Sequence, residues 1–334
     1  MAVNKNMLRE RAEKLDDVSN DSWALINEHN RSLTEEFLSI NKQLSKETLK
    51  QYTSGLRQFF WWVYQNANNK PFYKITKRDF LKYMGFLIDR GLSSSAIGFK
   101  KSAVSSFCNY IENIVADEME ECNTFRNFTR GLPSVAKNQV YEKVAISEDE
   151  YQLILSKLQE DNDYLAMAWV ATAYNVGARR AELIQFKTEI LGYSFGDKNY
   201  IISHTVRGKG KSADGKPLQY MINEEAFRYM KLWVDNRDFE SEYIFAIKKP
   251  DGKSKPIGID WSNNLCQNKL SEIVGRRITV HNFKASCITH LLEKGVDMKI
   301  VSKYIAHHTS VQTTSQFYDL RDFDEEKEEI FKGE

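Results

Sequence analysis

At 334 residues with 42% hydrophobic side chains, the chain has room for two or three domains with filled cores. No stretch approaches the roughly 20 apolar residues of a membrane span, and the start, M-A-V-N-K-N-M-L-R-E-R, lacks a secretory apolar run. The expected location is therefore cytoplasmic, with no membrane partner. Cys108, Cys122, Cys266 and Cys287 form no C-x-x-C pair and have no His at zinc-finger spacing. They read as buried free thiols, and neither a metal nor another cofactor is expected.

The net charge of +1 conceals an uneven distribution. Residues 319–334 carry eight acids against Arg321, Lys327 and Lys332, a net of −5, so the chain through Tyr318 holds +6. Its positive charge clusters at Lys100-Lys101, from Arg207 to Lys216, from Lys248 to Lys255, and at Arg276-Arg277. Clusters gathered on one face suit a phosphate backbone, which makes Lys100, Lys101, Arg207, Lys211, Arg276 and Arg277 candidate DNA contacts. Taken singly, each cluster reads as a solvated loop.

In chain order, one or two helices are expected within an N-terminal extension, residues 1–43. The stretch from Leu44 to Tyr64 puts Leu49, Tyr52, Leu56, Phe59, Phe60 and Val63 on one helical face. A second helix starts at Thr76, paired with Asp79 in a capping-box pattern, and a third runs from about Ser95 to Ile114. Trp61 and Trp62 read as core of this bundle. A composition change from Gly131 to Lys143 marks a linker, dividing residues 44–136 from a second domain, 137–318.

That domain opens with a capping box at Ser147 and Glu150, leading a helix to about Leu158; the next helix, Tyr164 to Val176, stops at Gly177. N-Y-I-I-S-H-T-V and P-L-Q-Y-M-I flank a basic, Gly-rich tip and read as a β-hairpin. Beyond Asn223 the chain is mostly helical, apart from a Lys- and Gly-rich loop at 248–258. The fold class is mainly α with one small antiparallel sheet.

Four pieces of the second domain resemble, in order, the signature boxes of the tyrosine recombinases, the phage integrase family. G-A-R-R-A-E-L at 177–183 is similar to T-G-x-R-x-x-E-L, and V-R-G-K-G-K at 206–211 to the hairpin-lysine motif. H-N-F-K-A-S-C-I-T-H-L-L-E-K-G at 281–295 resembles H-x-L-R-H-T-F-A-T-H-L-L-E-x-G, and I-A-H-H-T-S-V-Q-T-T-S-Q-F-Y at 305–318 resembles L-G-H-x-S-x-x-T-T-x-x-x-Y. The N-terminal half carries a matching S-x-x-T-x-x-x-Y-x-x-x-L-x-x-F-x-x-W at 45–62. The resemblance implies a SAM-like core-binding domain followed by a catalytic domain of the DNA breaking-rejoining fold.

It also implies roles. Arg179 would grip the scissile phosphate, two parallel hydrogen bonds being what a planar guanidinium offers, and Glu182 would orient the site. Lys209, with Lys211 as a competitor, would protonate the leaving 5′ oxygen. His281 and His308 would assist at the phosphate, and Tyr318 would attack it. Lys284 stands where the family has a second Arg, keeping the charge but losing the two-pronged grip, and His307 stands where a Gly is usual. His290 reads as a satisfied core histidine.

The implied function is site-specific strand exchange through a 3′-phosphotyrosine, without metal or ATP, for integration or excision of a mobile element. The partners would be specific duplex DNA, further copies of the chain from dimer to tetramer, and an accessory DNA-bending or directionality protein, in the nucleoid of a bacterium or phage-infected cell. The alternative, motivated by Lys284 and His307, is a DNA-binding protein of the same fold with weakened or lost cleavage. A metal-dependent nuclease would need a carboxylate cluster that the sequence does not present.

In the acidic tail, Leu320, Phe323, Ile330 and Phe331 form an apolar stripe suited to a short helix docking on a neighbouring subunit. Deleting residues 321–334 should impair multimeric assembly on DNA in gel-shift experiments while sparing binding by one subunit.

Overall fold

Short-range caps start most of the long helices. A computed structural model describes residues 13–133, 135–136, 143–210, 215–321, 323 and 327, without the side chain of Lys46. The chain divides into two compact units, Met1–Glu142 and Lys143–Glu334.

In the first unit, α1 (Asn20–Ala24) and α2 (Glu28–Ile40) precede α3 (Lys46–Asn66), which begins where the Ser45 side chain accepts from Thr48 N at 3.1 Å. The reciprocal Thr76–Asp79 capping box opens α4 (Lys77–Asp89), and α5 spans Ser94–Asn113. The periodic face of α3 becomes the core: Leu56, Phe59, Phe60 and Val63 are fully buried. The Phe59 ring meets Phe60, Phe80, Tyr83 and Phe128 at centroid distances of 5.1–6.2 Å, the tilted and edge-on arrangements that aromatic quadrupoles favour. Trp62 joins this core, whereas Trp61 is half-buried and stacks on Tyr64.

The second unit is built around α7 (Tyr164–Val176), preceded by α6 (Glu148–Glu160). Nearly every residue of α7 is buried, as its all-round apolar sequence requires of a central helix. Behind it, α9 (Glu224–Asn236) packs along its length. Between them come the short α8 (Arg180–Leu183) and a hairpin of two ladders, β1 (Tyr200–Ile202) with β4 (Met221–Asn223) and β2 (Val206–Gly208) with β3 (Lys216–Leu218). Ile202 faces Met221 and Val206 faces Leu218, so residues 203–205 oppose only 219–220. That extra residue is a bulge, which bends the outer ladder relative to the inner one.

The expected loop at 248–258 is largely a second hairpin, β5 (Ala246–Lys248) with β6 (Ser254–Pro256). Its turn holds Asp251-Gly252, with Gly252 at φ 81°, a hairpin signal that the lysine-rich composition masked. Helix α10 (Ile259–Leu265) runs through a π turn (Cys266–Leu270) into a last α turn (Ser271–Val274). Then come α11 (Val280–Glu293), the single turn Met298–Ile300 with a π turn (Val301–Ile305), and α12 (Val311–Phe317). The mainly helical fold with small antiparallel sheets is as the sequence implied. All four cysteines are free and buried. Of the tail stripe, Leu320 and Phe323 are not helical, Phe323 having φ 56°, and Ile330 and Phe331 lie outside the described residues.

Gly177 ends α7 at φ 65°, and a Cβ there would lie 3.0 Å from Cys287 Sγ and 3.2 Å from Ile305 Cγ2. Gly177→Ala therefore combines left-handed strain with a clash against two packed elements, and should lower stability by about 1–3 kcal/mol in denaturant unfolding.

Candidate active site

The site begins with a carboxylate. Glu182, on α8, is 1% exposed, and its Oε2 accepts from the backbone N of Arg179 at 2.7 Å while Oε1 accepts from Arg179 Nη1 at 3.1 Å. The Tyr220 hydroxyl also donates to Glu182 Oε2. Burial, then the Glu182 charge, hold Tyr220 well above its ordinary value, so it stays a donor. The Arg179 guanidinium is thus held by one edge and remains partly exposed. Arg180, its neighbour, donates to Asn263 Oδ1 instead.

Helix α11 supplies the next two groups. It opens where Asn282 Oδ1 accepts from Thr279 N at 2.8 Å and from Thr279 Oγ1 at 2.6 Å, and His281 and Lys284, three residues apart, share one face. Lys284 is 2% exposed and donates from Nζ to Ala306 O at 2.8 Å. Burial, reinforced by Arg179 and opposed by Glu182 and Cys287, lowers its pKa to about 7. His281 is exposed at the helix start, yet local desolvation and the charges of Lys143, Arg180, Arg179 and Lys284 hold it below its ordinary value.

The last box places His308 against Tyr318, their ring centroids 4.5 Å apart. Thr314 Oγ1, 2.9 Å from His308 Nδ1, orients the imidazole. Burial first, then Lys284, Arg179, His307 and Lys143, drive His308 down to about 4, so it is neutral near pH 7. Tyr318 caps α12, its N–H donating to Thr314 O at 3.0 Å and its carbonyl accepting from Thr289 Oγ1 at 2.9 Å. Burial raises its pKa, Arg179 opposes this, and Glu182 adds to it. Lys143 Nζ lies 4.4 Å from the Tyr318 ring centroid and donates to Phe317 O at 2.8 Å.

The fold thus brings Arg179, Glu182, Lys284, His308 and Tyr318 together, with His281 within their electrostatic reach. Lys209 is exposed on the hairpin tip, with no hydrogen bond to the cluster among the described residues. Lys211 lies outside the described residues. Of the candidate DNA contacts, Arg207 bonds through its main chain to the Gln185 amide, and Lys101 is half-buried on α5. Lys100 donates to Gln58 Oε1 and is lowered by burial, with Asp17 opposing. Arg276 grips Glu150 with two hydrogen bonds of 2.7 and 2.6 Å and also donates to Ala145 O, so its guanidinium braces the start of α6. Arg277 is half-buried. His290 is satisfied at both nitrogens, by Glu293 and Ile146 O.

Sequence reasoning assigned no role to Lys143, Tyr220, Thr289 or Thr314. Thr314 is the second Thr of the T-T pair and was legible there as a signal. Thr289 matches the Thr of T-H-L-L in the third box, whereas Lys143 and Tyr220 act across long separations that no local motif encodes.

The chain matches the Phage integrase family over residues 145–324 and the phage integrase N-terminal SAM-like domain over residues 35–113. It is 53% identical over 331 residues to the SPbeta prophage-derived recombinase-like protein YomM of Bacillus subtilis (strain 168), covering 98% of each chain. It is 28% identical to the tyrosine recombinase XerA of Pyrococcus horikoshii, over 82% of this chain and 83% of that one. A solved lambda integrase tetramer bound to a Holliday junction shares the fold, with a TM-score of 0.63 at 16% identity over 95% of this chain and 82% of that one.

Because Lys284 falls from 10.5 to about 7 on folding, the unfolded chain holds this proton more tightly between those values. Its contribution to stability is therefore full above pH 10.5, declines as pH falls to about 7, and is flat below. Lys284→Met should stabilise the protein at pH 7 by about 2–4 kcal/mol after the lost Ala306 hydrogen bond is allowed for. Thermal unfolding of parent and variant should converge as pH rises toward 10.

Proposed function

The chain belongs to the phage integrase family, and on that premise we propose that it is a site-specific tyrosine recombinase that integrates or excises a mobile element. The observation that carries this reading is the Tyr318 ring packed on His308, within a cluster whose cations are Arg179 and Lys284. A phosphodiester entering there would bring negative charge beyond that of Glu182, which Arg179 already engages.

In this reading the Tyr318 oxygen attacks phosphorus while His281 takes its proton, and an O–P bond forms as the bond to the 5′ oxygen breaks. Lys209 delivers a proton to that leaving oxygen. Arg179, Lys284 and His308 stabilise the charge that builds on the non-bridging oxygens, more strongly in the transition state than before it. A 5′ hydroxyl of a second strand then attacks the 3′-phosphotyrosine and releases Tyr318. Bond energy is conserved across the two transesterifications, so neither ATP nor a metal ion has a step to perform.

The remaining assignments follow the same reading. Residues 44–136 bind the core DNA site, 137–318 carry the chemistry, and 319–334 dock on a neighbouring copy. Lys101, Arg207, Lys211 and Arg277 contact the DNA backbone. Assembly runs to a dimer or tetramer on duplex DNA, with an accessory bending or directionality protein, in the cytoplasm of a bacterial or phage-infected cell. Among the described residues no helix is long and apolar enough to cross a membrane.

Incubation with nicked duplex carrying the element's end should yield a covalent protein–DNA adduct on a denaturing gel, unaffected by EDTA. Tyr318→Phe removes only the attacking oxygen and should abolish the adduct while leaving DNA affinity nearly intact. An adduct from the Phe variant, or loss of reaction in EDTA, contradicts the assignment, and DNA binding without any adduct favours a binder of the same fold.

A further inference from the structure

The hairpin that carries Lys209 pivots on one residue. Tyr220 sits in the bulge, where its carbonyl accepts from Ser203 N at 2.9 Å and its N–H donates to Ser203 Oγ at 2.9 Å. Because residues 203–205 face only 219–220, the direction of the outer ladder, and with it the tip, is set at this point. Its hydroxyl ties the pivot to Glu182, and so to Arg179. The Tyr220 ring, fully buried, tilts against Phe186 with centroids 6.1 Å apart and has a second, closer ring partner.

That partner is His307. Its ring meets the Tyr220 ring edge-on, with centroids 4.7 Å apart and planes at 88°. The His307 backbone is left-handed, at φ 51°, a conformation that disfavours a side chain with a Cβ and is uncommon outside glycine. Its Nε2 is buried and, among the described residues, has no hydrogen-bond partner. Strained backbone and an unsatisfied buried nitrogen both cost stability, and such costs persist where a contact is used. One residue earlier, Ala306 O accepts from Lys284 Nζ at 2.8 Å, which anchors the turn that presents the imidazole. Burial and Lys284, with Lys216 adding to them and Glu182 and the Gln219 main chain opposing, keep the ring below its ordinary pKa and so neutral near pH 7.

Resting on the recombinase reading, we propose that His307 is a positioning residue for leaving-group protonation: its ring wedges Tyr220 so that the hairpin presents Lys209 to the 5′ oxygen. It acts through the hairpin and touches neither phosphate nor nucleophile. The imidazole couples the turn bearing His308 to the hairpin, and a glycine at this position has no side chain with which to do so.

The test uses the full-length protein and nicked duplexes carrying the element's end, with either the natural 5′ oxygen or a bridging 5′ sulfur at the scissile phosphate. A thiolate, whose conjugate acid has a pKa of about 8.5, leaves without a general acid, whereas an alkoxide does not. His307→Gly, which relaxes the left-handed backbone, should slow single-turnover cleavage of the oxygen substrate by up to about 10²-fold and leave the sulfur substrate near the parental rate. Lys209→Ala should show the same pattern. His307→Phe keeps a ring for Tyr220 and should retain most of the rate on both substrates. Equal slowing of both substrates by His307→Gly, or slowing of neither, overturns the proposal. If the parent protein forms no adduct, the recombinase reading fails, and hydrogen exchange of the hairpin still decides the role of His307. Amides of 203–210, 215–216 and 218–220 should exchange faster in His307→Gly than in the parent and at the parental rate in His307→Phe; unchanged exchange in the Gly variant overturns the wedge.

Discussion

The buried carboxylate of Glu182 is the interaction on which the rest of the site depends. A carboxyl at 1% exposure is costly unless its oxygens are fully engaged, and here a backbone N–H, a guanidinium and a phenol hydroxyl converge on it. Each partner ties a different element to the same point. The backbone bond starts α8, the guanidinium bond aims Arg179, and the phenol bond secures the hairpin.

Around this carboxylate the fold places basic groups whose charged forms burial disfavours. Lys284 is pushed to about 7 and His308 to about 4, with burial as the largest cause in each and Arg179 among the charges that add to it. Such a site is destabilising in the free protein, and electrostatic preorganisation has this character: donors are fixed before the charge they serve appears. A phosphate among them offsets both the repulsion and the desolvation.

Two departures from the family pattern lie side by side in space. Lys284 occupies the position of an arginine but donates to the main chain of Ala306, and His307, next in the chain, fills glycine-like backbone with a ring that packs on Tyr220. The chain therefore reinforces its hairpin from the side of the last box. Arg276 is a related case: a cation in an apparent basic cluster that braces Glu150 at the start of α6.

The sequence by itself determined where most of the long helices begin and end, that a hairpin lies between residues 199 and 222, and that four boxes occur in a family's order. Those features are local: the Ser147–Glu150 and Thr76–Asp79 boxes each close within four residues, and Gly177 stops a helix through its own backbone. Only the tertiary structure decided that Arg276 meets Glu150 across 126 residues, that Lys143 covers the Tyr318 ring, that the hairpin bulges at Tyr220, and that Lys284 is enclosed. The reason is physical. A cap or turn is a contest among neighbouring backbone groups, whose outcome a few side chains settle. Whether a lysine lies in solvent or beneath a carbonyl depends on which surfaces pack over it, and packing is a property of the whole chain.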